Sequence, residues 1–261
     1  MVNTVTNTIQ IKTLRELNSS HEYVVIPDIH GELKVLEESS NFYKEEKLLL
    51  LGDFTDRGES TKKTFYLLKK LVESGKAFVI LGNHDYKFYR WLKFWLADEE
   101  ENKYYTLKFY GDLRIRHGFE QTLCEFSNES KEGKLKYALD FINFIENHVT
   151  VAAELKRGKE KHYFTHATIT ENVINNMSLK HSEIRHCNMT YAIEIEKLSK
   201  NVFEKFQNEK ITVHIGHVFM YNEKQLFEAS NKKHKLYMHD VGIGKRKFEE
   251  VVNNIYDFLI V

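Results

Sequence analysis

The chain has 261 residues, 42% of them apolar, enough to bury a substantial core in one large α/β domain. Lys+Arg and Asp+Glu both number 38, so the formal charge is zero and no global basic field makes nucleic acid or a membrane surface an obligatory partner. Cys124 and Cys187 fit neither a disulfide framework nor a Cys-x-x-Cys site, no stretch reaches the ~20 apolar residues of a membrane span, and the first residues lack a signal pattern. The expectation is a cytoplasmic protein with reduced thiols, folded as a single domain over residues 1–261, with its oligomeric state left open.

In chain order, short apolar runs at residues 23–26, 47–51 and 77–81 read as buried strands, each ended by Pro or Gly. Between them, residues 32–42 and 60–73 carry apolar side chains at helical spacing, giving a β-α-β-α-β rhythm that predicts a largely parallel sheet with right-handed crossovers. A helix follows at 86–96, with Asp85 available to cap its start, and then an acidic surface excursion at 98–103. Residues 135–145 read as helix, 149–153 and 162–165 as strands, 184–206 as helix and 211–215 as strand. Strands at 236–238 and 256–261 close the chain around a connection at 245–254.

Three of these strands run into turns rich in ligand atoms: Asp28-Ile29-His30-Gly31, Gly52-Asp53-Phe54-Thr55-Asp56-Arg57-Gly58 and Gly82-Asn83-His84-Asp85. Asp28, Asp53 and Asn83 are separated by 25 and 30 residues, one β-α-β step each, so they emerge at neighbouring strand ends. His166 and His217 also follow strands, which makes six candidate donors with His30. Carboxylate, imidazole and carboxamide groups pooled at one sheet edge point to metal ions and phosphoester hydrolysis. Taken alone, each Asp before Gly can be a turn former or helix cap, and Asp56 and Arg57 can form a structural ion pair.

The ordered D-x-H-G, G-D-x-x-D-R-G and G-N-H-D segments, with later T-H-A and G-H-V, resemble the phosphoprotein phosphatase branch of the calcineurin-like metallophosphoesterases over residues 22–240. The Gly82–Leu92 string and the His117–Leu123 string are similar to its small bacterial and phage members, which include diadenosine tetraphosphate hydrolases and nucleic-acid-end phosphatases. The resemblance implies a central β-sandwich flanked by helices, with a dinuclear site at the strand C-terminal ends. In that site Asp28 and His30 bind one metal, Asp53 bridges both, and Asn83, His166 and His217 complete the second. It further implies that Arg57 grips phosphate, that His84 protonates the leaving oxygen with Asp56 orienting its ring, and that Arg185, the one arginine between His166 and His217, is a second phosphate contact. Mn²⁺ is the favoured pair of ions, with Fe or Zn²⁺ as alternatives, and two such cations would activate a bridging water for in-line attack.

Other residues leave choices open. His162 and His214 lie inside their strands, where packing suits them better than ligation, and His21, His117, His148, His181, His186, His234 and His239 read as surface or supporting residues. Lys87, Arg90 and Lys93 form either a basic rim or the outer face of an amphipathic helix that turns Phe88, Trp91 and Trp95 inward. Gly242-Ile243-Gly244-Lys245 lacks Walker spacing and is set aside as a phosphate loop. Leu81, Asp85, Thr168 and Val218 depart from the eukaryotic phosphatase pattern without removing a ligand. The favoured substrate is a phosphorylated protein, at phosphoserine or phosphothreonine. Alternatives are a small phosphoester such as a dinucleoside polyphosphate, a nucleic-acid phosphate end, or a non-catalytic binding scaffold.

Overall fold

A computed structural model describes residues 11–97, 118–189, 201–217, 226–228, 234–239 and 260–261. The expected excursion at 98–103, the connection at 245–254, the middle of the 184–206 helix, most of the 256–261 strand, His117 and the 242–245 segment lie outside these residues. Three parallel strands form the first half of the sheet: β2 (Tyr23–Ile26), β3 (Lys47–Leu50) and β4 (Ala77–Ile80). Each is an almost wholly apolar run because both of its faces are covered. Val24, Ile26, Leu48, Leu50 and Val79 enter the larger core, under the helices, while Tyr23, Val25, Leu49, Leu51 and Ile80 enter a smaller one on the opposite face. The crossovers are α1 (Leu33–Phe42) and α2 (Thr61–Glu73), close to the expected bounds.

After α3 (Asn83–Ala97), two helices, α4 (Phe119–Ser127) and α5 (Lys131–His148), complete an aromatic core in which Phe65, Phe88, Phe126, Tyr137 and Phe141 meet ring to ring. The α4 helix, which the sequence pattern does not announce, reaches back to α2. Glu125 on α4 accepts from the amides of Thr61 (2.8 Å) and Lys62 (2.9 Å), capping that helix from 63 or more residues away. Ser130 caps α5 through Gly133 N–H.

The rest of the sheet remains largely parallel, as expected, with two antiparallel pairings. Only Gly158 and Lys159 join β5 (Val149–Arg157) to β6 (Glu160–Thr165), too short a link for a crossover, so this pair is antiparallel. Parallel pairing resumes from β6 to β7 (Lys210–Ile215) and on to β9 (His234–Met238), and β8 (Leu226–Glu228) pairs antiparallel at the edge. The long β5 strand is the junction: it pairs with β4, with β6 and with β1 (Lys12–Glu16), a strand the sequence reading passed over. Among the described residues the expected central β-layers are thus one curled nine-stranded sheet, with the smaller apolar cluster on the face away from the helices. Two short helices, α6 (Glu171–Ile174) and α7 (His181–Met189), follow β6. Among the described residues no helix is long and apolar enough to cross a membrane.

Candidate metal centre

Asp28, Asp53, Asn83, His166 and His217 all lie just beyond the C-termini of their strands, and although β6 and β7 run opposite to β2, β3 and β4, the curl of the sheet brings the two sets of strand ends into contact. The turns are tight enough to strain the backbone. Among the described residues, non-glycine positive φ occurs at His30 (46°), Asp53 (50°), Asp56 (68°), Arg57 (64°), His217 (59°) and Asn176 (50°), and all but the last are predicted site residues. Such conformations persist only where the surroundings hold them. Gly82 shows how close the turns come: a Cβ there would lie 2.1 Å from Asp53 N and 2.2 Å from Asp53 Oδ1.

Asp85, expected to cap α3, instead ties these turns together from beneath. Oδ2 accepts from Asp53 N (2.8 Å) and Gly82 N (3.1 Å), and Oδ1 accepts from Phe54 N, Thr55 N and the Thr55 hydroxyl at 3.0–3.1 Å. Burial and the neighbouring Asp53 carboxylate push this group up to about 7, against the pull of the Thr55 and Gly82 donors.

The imidazoles are oriented by acceptors that leave no choice of tautomer. His30 Nδ1–H donates to Thr55 O (3.0 Å) and His166 Nδ1–H donates to Leu51 O (2.7 Å), which turns each Nε2 toward Asp53. His30 Nε2 is 4.0 Å from Asp28 Oδ2 and 3.9 Å from Asp53 Oδ2, and it accepts from Arg57 Nη1 at 2.8 Å. Burial, with His84 and Arg57 close by, lowers the His30 pKa to about 3. His166 goes the other way: burial lowers it, but Asp53 and Asp28 outweigh burial and raise it to about 10. Its Nε2 then carries a second proton, aimed at Asn83 Oδ1 (2.9 Å), His217 Nδ1 (3.1 Å) and Asp53 Oδ2 (3.4 Å). Burial and His166 lower His217 to about 3, while burial, which raises Asp53, is outweighed by His166 and His84, which hold that carboxylate well below its usual range.

Among the described residues two donor groups emerge, His30 with Asp53 and His84, and Asp53 with His166 and His217, each with its ligand atoms within 4.8 Å. Asp53 belongs to both. Buried carboxylates and pre-oriented ring nitrogens converge here, and this mixed O/N set fits divalent cations, which would take the place of the second His166 proton. Asp28 stays at the rim of the first group, with Oδ1 accepting from His217 N at 3.2 Å.

Asp56 is fully buried, and its Oδ2 accepts from His84 Nδ1–H at 2.6 Å, which leaves His84 Nε2 facing Asp53 Oδ2 at 3.8 Å. Arg57 sits half-buried between the two rings, donating through Nη2 to His84 Nε2 at 3.4 Å. Arg185 is apart from this cluster, exposed on α7 one turn beyond His181, whose Nδ1 meets the Tyr86 hydroxyl at 2.7 Å. Burial with Arg90 and Arg185 nearby lowers His181 to about 4.

The sequence reading missed the supports. Thr55, Thr122 and Lys87 all bond Asp85 or Asp56, and only Lys87 had been weighed, as a rim cation. The rim does not form in that way: Lys87 turns inward and Lys93 pairs with Glu146, while Phe88 and Trp91 are buried. His162 and His214 join a stack with His239 and belong to neither donor group, His162 lying instead 3.7 Å from Glu160, and His234 and His239 are buried where a surface or supporting role was expected.

A family model for calcineurin-like phosphoesterases matches residues 22–243. An asymmetrical bis(5'-nucleosyl)-tetraphosphatase, PrpE, of Oceanobacillus iheyensis is 30% identical over 134 residues, 47% of each chain. Its namesake from Bacillus subtilis is 26% identical over 136 residues, 48% of this chain and 49% of the relative. The matches thus span about half the length of these curated relatives. Among solved structures, a protein serine/threonine phosphatase from Saccharomyces cerevisiae superposes with a TM-score of 0.50 at 16% identity, over 90% of this chain and 73% of that one, a likeness of fold.

Proposed function

Because the chain belongs to the calcineurin-like phosphoesterase family, we propose that it is a metal-dependent hydrolase of dinucleoside polyphosphates. The observation that carries the chemistry is Asp53, shared between two sets of inward-facing donors. The nucleotide substrate rests on the activity for which the relatives are named, and the phosphoserine or phosphothreonine expectation draws only on a likeness of fold.

In this reading Asp28 and His30 would hold one divalent ion and Asn83, His166 and His217 another, with Asp53 available to each, and Mn²⁺ would be favoured, with Fe or Zn²⁺ compatible with the donors. Such ions, when bound, lower the pKa of a nearby water and offset phosphoryl charge. Arg57, between His30 and His84, presents its planar fork to two phosphoryl oxygens. A water-derived oxygen forms the new P–O bond in line as the bond to the leaving oxygen breaks. His84, in its imidazolium form, gives its Nε2 proton to that oxygen while the attacking water releases a proton to solvent, the imidazole afterwards regains a proton from solvent, and no bond to the protein forms. Asp56 steadies the imidazolium through Nδ1–H. Arg185, with Arg90, supplies charge for an outer phosphate beside the Tyr86–His181 contact.

The test compares diadenosine tetraphosphate, a phosphoserine peptide and an RNA 3′-phosphate under Mn²⁺. Off-centre cleavage of the dinucleotide to AMP and ATP, with kcat/KM at least about tenfold above the other two, is expected. Turnover of the peptide or the RNA end without the dinucleotide would overturn the substrate assignment.

A further inference from the structure

We propose that Lys87 is a positioning residue for His84, acting through the carboxylate that the two side chains share. Both project from the first turns of α3, three residues apart and therefore on one face of the helix. Both end on the same atom: His84 Nδ1 is 2.6 Å from Asp56 Oδ2, and Lys87 Nζ is 2.5 Å from it. Two donors on one oxygen fix where that oxygen lies, and hence which way the ring faces. The other carboxylate oxygen is held by the Thr122 hydroxyl at 2.7 Å, so Asp56 is clamped at both ends by side chains from α3 and α4.

The cost of this arrangement argues that it is specific. The Lys87 side chain is only 12% exposed, and its ammonium lies 4.5 Å from the centroid of the Phe119 ring. An ammonium withdrawn from water needs full compensation, whereas the same lysine turned outward would have cost nothing. Lys87 Nζ also comes within 3.4 Å of His84 Nδ1, where both are donors, so the contact records convergence on the shared oxygen. Asp56, which burial raises, is carried below its usual range by His84 and Lys87 together, and an anionic carboxylate can only accept. The Nδ1–H tautomer follows, leaving Nε2 toward Asp53 and Arg57. Without Lys87, Asp56 keeps the Thr122 tether and can pivot about it, taking the imidazole with it.

The proposal rests on the reading of His84 as proton donor, and its test separates the two. Nitrogen-15 spectra of the histidine rings, with His84 assigned by its absence in His84→Ala, report the tautomer at alkaline pH without any turnover. The full-length protein is expected to show His84 as the Nδ1–H form, Lys87→Met to show both ring nitrogens averaged, and Lys87→Arg to restore one form. In parallel, Lys87→Met should lower kcat about 10- to 100-fold at unchanged KM and metal content, with partial rescue in Lys87→Arg. If Lys87→Met fails to fold by near-ultraviolet circular dichroism, Lys87→Gln carries the same comparison. An unchanged His84 tautomer in the neutral variant, or equal losses in Lys87→Met and Lys87→Arg, overturns the proposal. Full turnover in His84→Ala would instead refute the proton-donor role, and the ring spectra would still decide what Lys87 does.

Discussion

The carboxylate of Asp85 satisfies four backbone N–H groups and one hydroxyl from two different turns, all in an interior closed to water. Remove it and the amides of Asp53, Phe54, Thr55 and Gly82 lose their acceptor where no solvent can replace it. Leaving a buried donor unsatisfied costs ~1–3 kcal/mol, and these donors would share the loss as the loop relaxes. Asp85→Ala is therefore expected to destabilise the metal-free protein by about 3–5 kcal/mol in urea denaturation. Asp85→Asn should recover only part of that, because one oxygen keeps its acceptor role and the new NH₂ meets two N–H groups head on. A loss under about 1 kcal/mol for Asp85→Ala would show that the turn holds itself. Sequence pointed to the residues that face the site because each sits beside a strand end. It did not reveal Asp85's task, since its partners Asp53 to Thr55 lie about 30 residues away and become neighbours only once β3 and β4 pair.

At the scale of elements, β6, β7 and β9 bring three histidines into a row: His162 Nδ1 meets His214 Nε2, and His214 Nδ1 meets His239 Nε2, each at 3.1 Å. His214 is stacked between Phe164 and Tyr237, and burial, then His239 and His162, push its pKa well below the ordinary value. In the unfolded chain the same group titrates near 6.5, so the unfolded state binds a proton that the folded state refuses. That contribution to stability is whole above about pH 6.5 and is lost as pH falls, by about 2 kcal/mol at pH 5 for one such histidine. His214→Phe, which keeps the ring stack, should be less stable at neutral pH yet lose about 2 kcal/mol less between pH 7 and pH 5 in urea titrations with chelator present. An unchanged pH slope would place the acid sensitivity elsewhere. Elements themselves were readable in proportion to how locally they are specified. Strands 23–26, 47–51 and 77–81 are continuous apolar runs with Gly or Pro at their ends, whereas β1, Lys-Thr-Leu-Arg-Glu, owes its state to an edge of β5 some 138 residues on.

For the whole molecule, the donors of the candidate centre span Asp28 to His217 and are drawn from turns after β2, β3, β4, β6 and β7. A ligand that joins them ties both limbs of the sheet together across β5, and the unfolded chain offers nothing equivalent. It would also displace the second proton of His166, whose pKa the Asp53 and Asp28 carboxylates raise to about 10. Binding to the folded state alone stabilises by about 2.7 kcal/mol at a hundredfold excess over Kd. Adding Mn²⁺ to chelator-treated protein is therefore expected to raise the thermal midpoint by several degrees in proportion to the logarithm of its concentration. Asp53→Asn should abolish most of that rise, because Asp53 serves both donor groups, while His84→Ala should keep most of it, because the proposed ligand set gives that ring to proton transfer and leaves Asp28, His30 and Asp53 in the first group. A midpoint indifferent to Mn²⁺ in the unaltered chain would mean that the convergence of these five turns serves the fold and not the ions.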